Sequence, residues 1–300
     1  MAQHRGSLAA TTAVLLLGLL RLLPSGGAWR CDGDAQSATP TRLPKFTLAD
    51  IDPGAVCNDG TAAEYYLRAN PASDLWLVYL AGGAWCSSAE DCEARWEGRV
   101  YPNFDCRLPP GQTEQRCFMS NKDFPEQCSK SGIFDASPDN PLAEANLVYI
   151  PYCSSDAFLG DMPPSAEVPW HFRGQQIVLA TIDALIRTHG LGDALATLLF
   201  GGGSAGARGA MAWLDRVPHL LPESVRVLGF LDSPYVIDEP PLPSSGYEPD
   251  FAEQARRVLA LTGAEDMIFG ECAEKHPGPD DSWRCLYAEH RLLGVELPML

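Results

Sequence analysis

Four short apolar runs stand out along the chain, each bounded by glycine, proline or charged residues. Leu75 to Leu80, Leu147 to Ile150, Ala196 to Phe200 and Val225 to Leu231 are near-continuous rather than alternating. The first two show the pattern of strands buried on both faces, and the other two read as further strands. Between them the period changes. Ile177, Leu179, Ile182, Leu185 and Ile186 recur at helical spacing from Arg173 to Thr188, with Gly190 as the stop. Ala205 to Asp215 reads as a second helix, closed before Pro218, and Phe251 to Leu261 as a third. Trp29 to about Ile51 is polar without a clear period and reads as a lead. Strands alternating with helices predict a mostly parallel α/β sheet with its reactive loops at the strand carboxyl ends. The proline-rich stretch from Glu239 to Pro243 suits a lid or side wall.

The first 28 residues are read apart from the fold. His4 and Arg5 precede an apolar run, Leu8 to Leu20, and Gly26-Gly27-Ala28 offers small residues for cleavage. The run is short for a bilayer span and is closed by Arg21. The expectation is a signal peptide over 1–28 and a secreted mature chain without a membrane span. All ten cysteines follow that segment, and an even count in an exported chain predicts disulfides. Six fall between Cys86 and Cys153, which predicts a loop-rich insertion stapled largely within itself. No C-x-x-C pair or Cys/His zinc spacing occurs, so no metal site is expected. A formal charge of −17 argues against nucleic acid or an anionic membrane surface as partner.

Candidate chemistry sits where the third apolar run breaks. Gly202-Gly203-Ser204-Ala205-Gly206 fits G-x-S-x-G, the turn that lifts a nucleophilic serine between a strand and a helix. The Ala205 N–H then lies at a helix start, where an unpaired donor stabilises a developing oxyanion. Gly82-Gly83-Ala84 follows the first apolar run, so the amides of Gly83 and Ala84 are the matching second source of donors. An acyl-transfer serine also needs a base and an orienting acid. After Ser204 only His219, His276 and His290 remain, each in a setting typical of a surface histidine. Asp232 ends an apolar run, and its expected role is to hold loop backbone amides. No complete triad is legible.

These residues carry a resemblance. Leu80-Ala81-Gly82-Gly83-Ala84-Trp85-Cys86, Ser131-Gly132-Ile133, Tyr152-Cys153-Ser154-Ser155-Asp156, Phe172-Arg173-Gly174-Gln175, Gly203-Ser204-Ala205-Gly206 and Asp232-Ser233 resemble the pectin acetylesterases and the related Notum carboxylesterases, from about Asn58 to Leu300. The resemblance implies an α/β-hydrolase-like fold: a mostly parallel sheet, helices on both faces and a disulfide-stapled insertion. It implies Ser204 as nucleophile, Gly83, Ala84 and Ala205 as oxyanion hole, and no metal or organic cofactor. The chain departs from the family pattern at Ala81, usually Glu, and at Ala207, usually Gly. Family members also continue into another buried strand that ends at the triad Asp, with the His beyond. Pro298-Met299-Leu300 is similar to the start of that strand, so the C-terminal part is expected to be missing. The expected organisation is a signal peptide (1–28), an N-terminal lead (29–57) and an α/β-hydrolase domain (58–300). The implied activity is serine carboxylic-ester hydrolysis, with O-acetylated, pectin-like polysaccharide as substrate. The alternatives are a Notum-like deacylase of a lipidated secreted protein and a non-catalytic secreted binding protein.

Overall fold

A computed structural model describes residues 31, 39–97, 99, 118–234, 239 and 250–300. Residues 1–28, read as a signal peptide, together with Cys106, Cys117 and Pro240 to Pro243, lie outside the described residues. Seven strands form one sheet: β1 (Thr41–Thr47), β2 (Glu64–Arg68), β3 (Leu75–Leu80), β4 (Gln127–Lys130), β5 (Asn146–Ile150), β6 (Ala196–Gly203) and β7 (Val225–Asp232). Their order is β4-β1-β2-β5-β3-β6-β7. The neighbours β5, β3, β6 and β7 run parallel, and β4, β1 and β2 extend the sheet with antiparallel pairs.

The four apolar runs are the four parallel strands. Leu77, Val78, Leu80, Leu147, Val148, Ile150, Leu198 and Phe200 are fully buried, as continuous runs covered on both faces must be. Burying one such side chain contributes about 1.5–3 kcal/mol, so these strands anchor the core. Helices fill the connections: α1 (Ala89–Trp96), α2 (Gly174–His189), α3 (Ala205–Trp213), α4 (Val217–Leu220), α5 (Phe251–Thr262), α6 (Gly270–Lys275) and α7 (Ala288–Arg291). α2 joins β5 to β6 and ends at Gly190 in the left-handed conformation (φ 80°), as its sequence signals. α1 starts at Ser88, whose hydroxyl accepts the Asp91 N–H at 3.1 Å. Among the described residues no helix is long and apolar enough to cross a membrane.

One expectation needs correction. The stretch read as a lead contains β1, which pairs with β2 and β4 and buries Leu43 completely. Its four residues from Thr41 to Pro44 alternate buried and exposed, too short a signal to stand out in polar sequence. Of the six cysteines from Cys86 to Cys153, four are described, and two of these bridge to the N-terminal segment. Cys86 pairs with Cys92, but Cys128 pairs with Cys31 and Cys153 with Cys57. The sheet dictates this, because β4 lies beside β1 and brings Cys128 to the N-terminal segment. Cys272–Cys285 closes a further bridge. At the other edge, Pro298 to Leu300 lie parallel to β7. The Gly229 N–H donates to the Pro298 carbonyl (2.8 Å) and the Leu300 N–H to the Gly229 carbonyl (3.0 Å).

Candidate active site

The chain leaves β3, forms β4 at the far edge, returns to β5 on one side of β3, then crosses over β3 to β6 on the other. Such a reversal opens a crevice at the strand carboxyl ends. Most of the motif segments named above lie there: residues 81–86 after β3, 151–160 after β5, Ser204 after β6 and Ser233 after β7.

Ser204 has φ 52° and ψ −117°, a conformation that costs a non-glycine residue on the order of 1–3 kcal/mol. Its side chain is exposed, whereas Gly203 and Ala205 are buried. The turn is held by backbone bonds on both sides. The Ser204 N–H donates to the Asp232 carbonyl (2.9 Å), and the Ser204 carbonyl accepts from the Arg208 N–H (3.0 Å). Gly206 is obligatory, since a Cβ there would run into the carbonyl oxygens of Leu80 and Ala81. The first turn of α3 can therefore press onto the end of β3, where Leu80 is in register with Gly202. As the first residue of α3, Ala205 presents an amide with no intrahelical acceptor, at the positive end of the helix.

The loop after β3 is pinned at both ends. The Ala81 N–H donates to Ile150 (3.0 Å) and the Cys86 N–H to Ser155 (3.1 Å). Gly83 lies against Tyr152 and Phe118, leaving no room for a side chain. Ala84 adopts φ 56°, left-handed for a residue with a Cβ. Among the described residues neither the Gly83 nor the Ala84 amide has a backbone acceptor. Trp85 stacks on Phe251 at 5.1 Å, and the buried Arg208 guanidinium lies over both rings, at 4.3 and 4.4 Å. Burial lowers the Arg208 pKa to about 10, so it stays cationic at neutral pH.

Asp156 organises the loop after β5. Its carboxylate is fully buried and accepts the Ser154 hydroxyl (2.6 Å) and the amides of Phe158 (2.9 Å), Gly160 (3.2 Å) and Gly174 (2.8 Å). Burial nevertheless pushes its pKa up to about 6, against the opposing pull of these four donors.

Ser204, Ala205, Gly83 and Ala84, picked out from sequence, lie at the adjoining ends of β6 and β3. Asp232 holds the turn through its backbone carbonyl rather than its carboxylate. The carboxylate takes the Ser233 hydroxyl (3.0 Å) and the Tyr79 hydroxyl (3.4 Å). His276 Nδ1 is 2.8 Å from Asp281, and its ring packs on His290 at 4.7 Å. His219 lies in α4. No described histidine is hydrogen-bonded to the Ser204 hydroxyl. Sequence reading gave Asp156 no role beyond its motif segment and missed Arg208. The available signal was a charge set among apolar and small residues, as in Ala207-Arg208-Gly209.

A family description, pectinacetylesterase, matches residues 37–300. The chain belongs to the pectinacetylesterase family. It is 35% identical over 194 residues to the palmitoleoyl-protein carboxylesterase NOTUM of Mus musculus, covering 63% of this chain and 35% of that protein. It is 33% identical over 255 residues to the NOTUM carboxylesterase of Drosophila melanogaster, covering 81% of this chain and 34% of that protein. The chain thus spans about a third of the length of these curated relatives. The solved structure of the Wnt deacylase Notum from Drosophila superposes with a TM-score of 0.73 at 30% identity, over 87% of this chain and 70% of that one. The pectinacetylesterase domain here accordingly has the α/β-hydrolase fold of Notum, with the serine turn at its switch point.

Proposed function

We propose that this pectinacetylesterase-family chain is a secreted serine carboxylic-ester hydrolase that removes O-acetyl groups from a pectin-like polysaccharide. The observation that carries the reading is Ser204, exposed and held at φ 52° directly before the amide of Ala205. Ser204 Oγ attacks the ester carbonyl carbon and its proton passes to a general base, a role that no described histidine fills by a hydrogen bond to Ser204. The carbonyl oxygen, now negative, takes hydrogen bonds from Ala205, Ala84 and Gly83. The sugar hydroxyl leaves with a proton, and water then releases acetic acid from the acyl-enzyme. Four disulfides among the described residues suit an oxidising, extracellular setting.

A second reading is favoured by the relatives, whose names specify a palmitoleoyl-protein carboxylesterase. Here the acyl group is a long lipid chain on a secreted protein. The test is fluorophosphonate labelling of the purified chain and of Ser204→Ala, followed by hydrolysis of acetyl and palmitoyl esters. Labelling that requires Ser204, with acetyl esters cleaved faster, is the expected result. A strong palmitoyl preference selects the second reading. A wild-type chain that is never labelled overturns the enzyme and leaves a secreted binding protein.

A further inference from the structure

The loop that carries Gly83 and Ala84 is held from behind by one side chain. Arg95, in α1, is buried to 2% exposure, and its Nη2 donates to the Gly83 carbonyl oxygen. Its guanidinium also lies over the rings of Phe118 (4.9 Å) and Tyr152 (5.8 Å), the two side chains that crowd Gly83. The Cys86–Cys92 bridge fastens the far end of the same loop to α1, so the helix that supplies Arg95 moves with the loop.

The Gly83–Ala84 peptide is a plane with its C=O and N–H on opposite edges. A carbonyl drawn toward Arg95 therefore aims the Ala84 N–H the other way. That orientation is the unfavourable one for Ala84, which must take φ 56°. Turning the plane over would shift this angle by about 180°, to roughly −120°, inside the β region open to alanine. It would also withdraw the N–H and present a carbonyl in its place. The chain thus needs something that favours the less comfortable orientation, and the charge-assisted bond from Arg95 is placed to do so.

We propose that Arg95 is a positioning residue for the oxyanion hole: by binding the Gly83 carbonyl it keeps the Gly83–Ala84 peptide turned so that the Ala84 amide serves the reacting carbonyl. This rests on the esterase reading of Ser204 for its kinetic consequence, but the peptide orientation is measurable without turnover. The variants are Arg95→Met, Arg95→Lys and the double variant Arg95→Met/Ala84→Gly, each compared with wild type for melting temperature, crystal structure and acetyl-ester kinetics.

The expected result for Arg95→Met is a turned-over Gly83–Ala84 peptide and a kcat lowered about 10²-fold or more, the usual cost of one oxyanion donor, with KM within about threefold. Arg95→Lys should restore part of kcat. The double variant should recover part of it too, because glycine at 84 accepts a positive φ freely, whereas a purely structural role for Arg95 would not be rescued that way. An unchanged peptide in folded Arg95→Met, or a rise in KM with kcat retained, would overturn the proposal. If wild type shows no turnover, the esterase reading falls while the crystal structures still decide the orientation. If Arg95→Met does not fold, the same comparison is made with Arg95→Lys. There, loss of the contact to Gly83 without any turning of the peptide overturns the proposal.

Discussion

The loops after β5 and β7 begin alike and end differently. Each leaves the carboxyl end of a parallel strand and carries serine beside aspartate: Ser154-Ser155-Asp156 in one, Asp232-Ser233 in the other. Asp156 is sealed from solvent and gathers a hydroxyl and three amides, which include the first amide of α2. Asp232 is exposed, and its contribution to the serine turn comes from its backbone carbonyl. Burial converts one aspartate into a joint for the backbone and leaves the other a replaceable side chain.

The largest break in this comparison is expected from Asp156→Ala. Four donors lose their acceptor inside the protein, and each orphaned buried group costs about 1–3 kcal/mol. A loss of at least about 4 kcal/mol should appear in urea denaturation, a large part of a typical domain's stability.

A smaller effect follows from pH. The folded pKa of Asp156 is raised to about 6, above the ordinary unfolded value near 4. Between those values the folded chain holds a proton that the unfolded chain has released. The contribution of Asp156 is therefore full below about pH 4 and falls away as pH rises through about 6, by on the order of 3 kcal/mol. Denaturation curves of wild type and Asp156→Asn from pH 4 to 7 should differ by this slope. Parallel curves would show that the four donors outweigh burial.

The smallest effect is expected at the other loop. Asp232→Ala keeps the carbonyl that accepts the Ser204 amide, so stability should change by less than about 1 kcal/mol in thermal denaturation. A loss as large as that of Asp156→Ala would erase the distinction between the two loops.

How far the sequence could be read follows the same division. β3, β5 and β6 were legible because a parallel strand covered on both faces must be apolar throughout, β7 by its apolar run although its burial alternates at the sheet edge, and the serine turn because its glycines have no substitutes. β4 was not legible. Gln-Cys-Ser-Lys is polar, and it becomes a strand only through pairing with β1. Arg95 was hidden for a related reason, and so was the role of Asp156, although its segment carries the family resemblance. A lone charge in a sequence suggests solvent, and only the fold reveals that Arg95 meets the Gly83 carbonyl and Asp156 a ring of amides.

The bridges Cys31–Cys128 and Cys57–Cys153 interleave along the chain, spanning 97 and 96 residues. This ordering has a consequence for biogenesis. A chain emerging from its N-terminus exposes Cys31 and Cys57 together, before either partner has been made. Joining these two closes a much shorter loop than either native bridge and is favoured by about 1 kcal/mol in chain entropy. The native pattern is then reached by thiol–disulfide exchange once β1 and β4 have paired, not by the order of synthesis. Oxidant alone would trap the early pair, so yield of the folded chain should track the supply of a disulfide isomerase.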